Sequence, residues 1–162
     1  MKKILGSLFS LAFVFVLFGC GNPVTEELLS YVNEDLVPLA EKETEILEEY
    51  ASVTGENYTD DETTYYHISD VILPLYTDFI EDIEALKFES TEIRDVHELF
   101  IQAHNTQYNG IVQVMSAIEN QDYDMMIQAN EKLEEGRTGL RDYQYELQDL
   151  AKKYDVQLEM EQ

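Results

Sequence analysis

Four long stretches of the chain repeat apolar residues at intervals of three and four, and none alternates as a half-buried strand would. That periodicity limits the chain to helix packed on helix. The first stretch spans 24–53, with Val24, Leu28, Tyr31, Val32, Leu36, Leu39, Ile46, Leu47, Tyr50 and Val53 on its stripe. The second spans 60–87, through Tyr65, Ile68, Ile72, Leu75, Phe79, Ile83 and Leu86. The third spans 91–120, through Ile93, Val96, Phe100, Ala103, Ile111, Val114, Met115 and Ile118. The fourth spans 123–158, through Met126, Ile127, Leu133, Leu140, Leu147, Leu150 and Tyr154.

The breaks between them carry helix punctuation. Pro23 suits a first helical turn, where its missing N–H costs little. "TGENYTD" ends the first stretch, with Gly55 able to take a left-handed turn and Thr59 and Glu62 spaced as a capping box. Ser90 or Thr91 caps the third helix and Asp122 the fourth. Long helices joined by short loops predict an all-α fold, an antiparallel up-down-up-down four-helix bundle over 24–158 with a tail at 159–162. An open or three-helix arrangement with one helix bent back is the alternative. Pro38 and Pro74 fall near the middles of the first two helices. They read either as two independent kinks or as a widening that leaves room for a ligand.

Charge sets what such a bundle meets. There are 34 acidic residues against 10 Lys and Arg, a net charge of −24. Between Glu26 and Leu86 stand 18 acids and one base, Lys42; from Lys87 onward there are 16 acids and seven bases. Phosphate binding needs clustered Lys and Arg, so nucleic acid is not an expected partner. The candidate contact surface is acidic: Glu26, Glu27, Glu34, Glu41, Glu45, Glu48 and Glu49, suited to a protein partner with a basic surface.

Residues 1–19, "MKKILGSLFSLAFVFVLFG", have a short basic start and an apolar run, the build of a signal peptide. The run is shorter than the ~20 residues of a spanning helix. It ends at Cys20, the chain's one cysteine, so no disulfide can form within the chain. Leu17, Gly19 and Cys20 resemble the lipobox of bacterial lipoproteins; Phe18 departs from it, since a small residue is commoner there. The resemblance covers about the first 20 residues. It implies a cleaved leader, a diacylglyceryl group on the Cys20 sulfur, and anchoring to the extracytoplasmic face of the cell membrane, with 20–23 as a short tether. Composition and leader are similar to those of small lipoproteins of Gram-positive bacteria.

One set of polar residues falls near the apolar stripes. His97 and His104 are seven apart on the third helix and share a face. Asn130, Arg137 and Gln144 repeat at seven on the fourth, and Glu43 stands at a stripe position of the first. They form either a candidate polar seam, with Glu43 a partner for a buried Arg137, or boundary residues whose heads reach water. No Glu-x-x-His pair, zinc spacing or haem-attachment motif occurs, so no metal or cofactor is expected. Glu56, Asp60, Asp61 and Glu62 do not match a calcium loop. Gly-rich phosphate loops, nucleophile elbows and framed catalytic acids are also missing. The expectation is a non-enzymatic, lipid-anchored domain that binds a protein or envelope partner in an accessory, regulatory or immunity role. The alternative is a small-ligand or metal-sensing bundle using the seam between the third and fourth helices.

Overall fold

The computed structural model describes residues 21–158; the expected leader, Cys20 and the 159–162 tail lie outside the described residues. Every regular element among the described residues is helical. Four long helices account for nearly all of it: α1 (23–52), α2 (61–85), α3 (Thr91–Asn120) and α4 (Tyr123–Lys153).

Each helix starts on a polar cap that satisfies one of its free amides. Asn22 accepts from the Val24 N–H at 3.0 Å, with Pro23 in the first turn. Asp60, not the expected Thr59, caps α2 by accepting from Thr63 N–H at 2.8 Å. Ser90 caps α3, and Asp122 caps α4 through Met125 N–H at 2.9 Å. Helix α4 is shorter than its stripe predicts. Asp155 turns left-handed at φ 56°, and Val156 N–H returns to the Ala151 carbonyl at 2.9 Å. That turn buries Val156 against the bundle, so the apolar pattern continues past the end of the helix.

Neither proline ends its helix. A wide π-turn lies just upstream of each: Tyr31–Asp35 before Pro38, and Ile68–Ile72 before Pro74. Leu36 N–H reaches back to the Tyr31 carbonyl and Leu73 N–H to that of Ile68, five residues instead of four. Proline lacks an N–H and crowds the carbonyl one turn before it; an inserted residue loosens that turn so the helix can continue.

Side-chain contacts join each helix to the next. Between α1 and α2, Lys42 pairs with Asp82, Glu49 with His67 at 2.7 Å, and the Thr64 hydroxyl donates to the Val53 carbonyl at 3.0 Å. Between α2 and α3, Tyr76 meets His104 and Gln107, and the Ile83 carbonyl meets His97. The most extensive packing joins α3 and α4. Gly136 makes it close: a β-carbon there would stand 2.4 Å from Gln107 Cγ and 3.1 Å from the Ala103 carbonyl oxygen.

The start of α1, the turn before α3 and the end of α4 gather at one end. Glu92 binds both Lys153 and Tyr154. Glu27 accepts the Glu89 N–H at 2.6 Å and the Ser90 N–H at 2.9 Å, one on each carboxylate oxygen. Charge-assisted bonds of this kind are stronger than neutral ones. Glu27→Ala is therefore expected to lower stability by about 1–2 kcal/mol. Urea unfolding reads the loss, and amide exchange at Glu89 and Ser90 should quicken; unchanged exchange there would mean water replaces the carboxylate without cost.

Candidate functional site

Two histidines of α3 organise the only polar cluster buried among all four helices in the described residues. His97 and His104 are 3% and 0% exposed, and both lie among rings. His104 sits 4.7 Å from the Phe79 ring centre and 4.4 Å from that of Phe100. His97 lies 5.0 Å from Phe88 and 5.4 Å from Tyr31. Apolar walls of this kind disfavour the charged form. Burial lowers the His97 pKa and pushes that of His104 down to about 3.

The hydrogen bonds then fix which nitrogen carries the proton. His97 Nε2–H donates to the Ile83 carbonyl at 2.7 Å. Its Nδ1 accepts from the Tyr31 hydroxyl at 3.0 Å, and Tyr31 in turn accepts from the Tyr143 hydroxyl at 2.9 Å. The chain Tyr143, Tyr31, His97, Ile83 is complete. Burial is the first cause that holds the Tyr31 and Tyr143 hydroxyls protonated, far above their ordinary range.

His104 takes the opposite tautomer. The Tyr76 hydroxyl donates to Gln107 Oε1 at 3.1 Å, so its oxygen accepts from His104 Nδ1–H at 3.0 Å. This leaves His104 Nε2 a bare acceptor, buried and without a hydrogen-bond partner. Glu43 Oε1 stands 3.8 Å from it. Glu43 is itself 6% exposed, and desolvation raises its carboxyl pKa to about 7.

Of the six seam residues expected from sequence, the structure brings together Glu43, His97 and His104 and leaves three outside. Arg137 has 54% of its side chain exposed and binds Glu134 at 2.8 Å; it does not pair with Glu43. Asn130 is exposed and bonds back to the Met126 carbonyl at 2.9 Å. Gln144 is half-buried. The inward face of α4 runs through Ala129, Leu133, Gly136, Tyr143 and Leu147, and the Asn130, Arg137, Gln144 row lies one residue round from it. The seam's other members are Gln107, close by the two histidines on α3, and three tyrosines, Tyr31, Tyr76 and Tyr143, whose hydroxyls were not gathered as polar partners from the sequence. The signal for the α4 face was the run of small residues at Ala129 and Gly136, seven apart and seven before Tyr143.

The acidic surface divides too. Glu26, Glu34, Glu41, Glu45 and Glu48 are exposed. Glu27 and Glu49 are half-buried and engaged, Glu27 at the start of α3 and Glu49 on His67. No group of three or more His, Cys, Asp or Glu is gathered as a metal site among the described residues. No helix among them is long and apolar enough to cross a membrane.

Nothing matches the chain in comparisons with protein-family models, curated proteins or solved structures. The residues themselves therefore carry every functional argument.

Proposed function

We propose that this chain is a lipid-anchored surface protein, held by an acylated Cys20 at the extracytoplasmic face of the cell membrane. It is non-enzymatic and binds a protein or envelope partner that presents basic groups. Its four helices run up, down, up and down as one bundle, the end near residue 21 toward the bilayer. Two acyl chains give stable anchoring where one is marginal, and Gly21 and Asn22 span at most ~7 Å.

The observation that carries the partner reading is the charge of α1 and α2. Eighteen acids face one base over 26–86, and that base, Lys42, is already bound to Asp82. The surface has no cation of its own to spare, so a basic partner replaces counter-ions instead of breaking internal pairs. The test has two arms in intact cells. Cys20→Ser should move the protein from the membrane fraction or leave its leader uncut; normal processing and anchoring would refute lipidation. Changing Glu26, Glu34, Glu41, Glu45 and Glu48 to Gln should abolish the crosslinked adduct formed by the unmodified chain, and an unchanged adduct would refute the acidic surface.

A second reading, a small-ligand bundle, is favoured by one atom, the bare His104 Nε2. Native mass spectrometry of the full chain would carry it if a small bound mass vanished in His104→Gln.

A further inference from the structure

A buried acceptor with no donor is rare in a folded protein, because it forfeits its bond to water and gains nothing in return. His104 Nε2 is such an atom. What faces it is the Glu43 carboxyl, 3.8 Å away, beyond hydrogen-bond reach. As a carboxylate, Glu43 offers only acceptors, and two acceptors in an apolar core repel. As a carboxylic acid it offers one O–H, and a shift of roughly 1 Å would bring that O–H onto Nε2 at bonding distance.

We propose that Glu43 and His104 form a one-proton latch between α1 and α3. With the proton present, the Glu43 O–H donates to His104 Nε2 and holds the middle of α1 against the core. With it gone, a buried carboxylate faces a nitrogen lone pair, and that part of α1 loosens toward water.

The polar groups around the pair are already engaged. From α2, Tyr76 is committed to His104 Nδ1 and Gln107. From α3, Gln107 accepts from Tyr76, and His97 is saturated by Ile83 and Tyr31. From α4, the Tyr143 hydroxyl is held by Tyr31. On α1, Lys42 turns to Asp82. Among the described residues, the neutral His104 ring holds the one basic side-chain nitrogen within 4 Å of the Glu43 carboxyl. Tyr76 and Tyr143 both feel the Glu43 charge, which raises their pKa further, so neither hydroxyl ionises to relieve the site.

The direction of the switch follows from burial. Desolvation holds the Glu43 carboxyl up to about 7, against 4.5 for an ordinary glutamate. A group raised in the folded state adds stability that is fully present below its unfolded pKa and lost as pH rises through its folded one. The latch is thus closed in mildly acid surroundings and opens above neutrality.

The test is a carbon-13 titration of the Glu43 carboxyl in the full chain in detergent, assigned with Glu43→Gln. It is paired with thermal unfolding from about pH 5 to about pH 8.5. The carboxyl should titrate near neutrality, well apart from the exposed glutamates, and the imidazole Nε2 should stay without a proton throughout. The unfolding midpoint of the unmodified chain should fall above pH 7. Glu43→Gln, whose amide N–H supplies a permanent donor, should lack that fall. Glu45→Gln, an exposed neighbour, should keep it. Titration of Glu43 together with the surface carboxyls would overturn the latch. So would an unchanged fall in Glu43→Gln, or a small molecule found on Nε2. If Glu43→Gln does not fold, the carboxyl is assigned instead through its contact with the His104 ring, and the titration of the unmodified chain decides alone.

Discussion

Phe100→Ala is expected to cost about 3–5 kcal/mol of unfolding free energy. Its ring is 2% exposed and packs among the rings of the buried cluster, with ring centres 6.3 Å from Phe79, 4.4 Å from His104 and 4.7 Å from Tyr143. Removing it takes away apolar area and opens a cavity that three helices must close around. It also lets water approach both histidines, so the His104 pKa should climb back toward its ordinary value. Urea unfolding gives the first number and imidazole titration the second. A loss below about 1 kcal/mol would mean that the cluster repacks freely.

The second large effect is in acid. Burial holds His104 at about 3 when folded, against 6.5 for an exposed histidine. A depressed pKa adds stability above the unfolded value and loses it as pH falls through the folded one. Between about pH 6.5 and about pH 3 this group alone should remove on the order of 4–6 kcal/mol. Two other terms oppose it over the same range. Glu43 regains its proton as pH drops through 7, and the surface carboxylates relieve a net charge of −24 as they neutralise. Comparison with His104→Gln separates them, because the variant keeps the surface charge. Urea unfolding at stepped pH should show the variant losing less stability toward acid; parallel curves below pH 6.5 would place the acid sensitivity elsewhere.

The helices were legible because apolar spacing and caps act over three or four residues. The stripes give α3 its full extent, and Ser90 and Asp122 cap where their side chains predict. The short end of α4 was not legible, since Val156 keeps the apolar pattern while Asp155 breaks the backbone one. The seam was half legible. His97 and His104 share a face by spacing alone, and Glu43 sits in the place of an apolar residue. Its hydroxyl partners were hidden because tyrosine reads equally well as core or surface. Tyr143 and Tyr145 stand two apart, and one is 0% exposed and the other 64%. Arg137 was misread for a related reason. A helical wheel places it one residue from the buried face, and the nearby Glu134 takes it in water at no desolvation cost.

The two π-turns make the reading frame of α1 and α2 physical. Each holds one residue more than an α-turn would. Deleting a single residue within 31–35 should let α1 relax into a regular helix. The wide turn already absorbs that extra residue, so Pro23–Ser30 should keep its facing; the same deletion in the regular part, 36–42, would rotate it by about 100° relative to the rest. Leu28, now 0% exposed, would swing toward solvent, and Glu27 would leave the amides of Glu89 and Ser90. Only the chain shortened in the regular part would lose its fit to the other helices; the one shortened in the wide turn would keep it. The wide turns are thus the places where α1 and α2 tolerate a change of length.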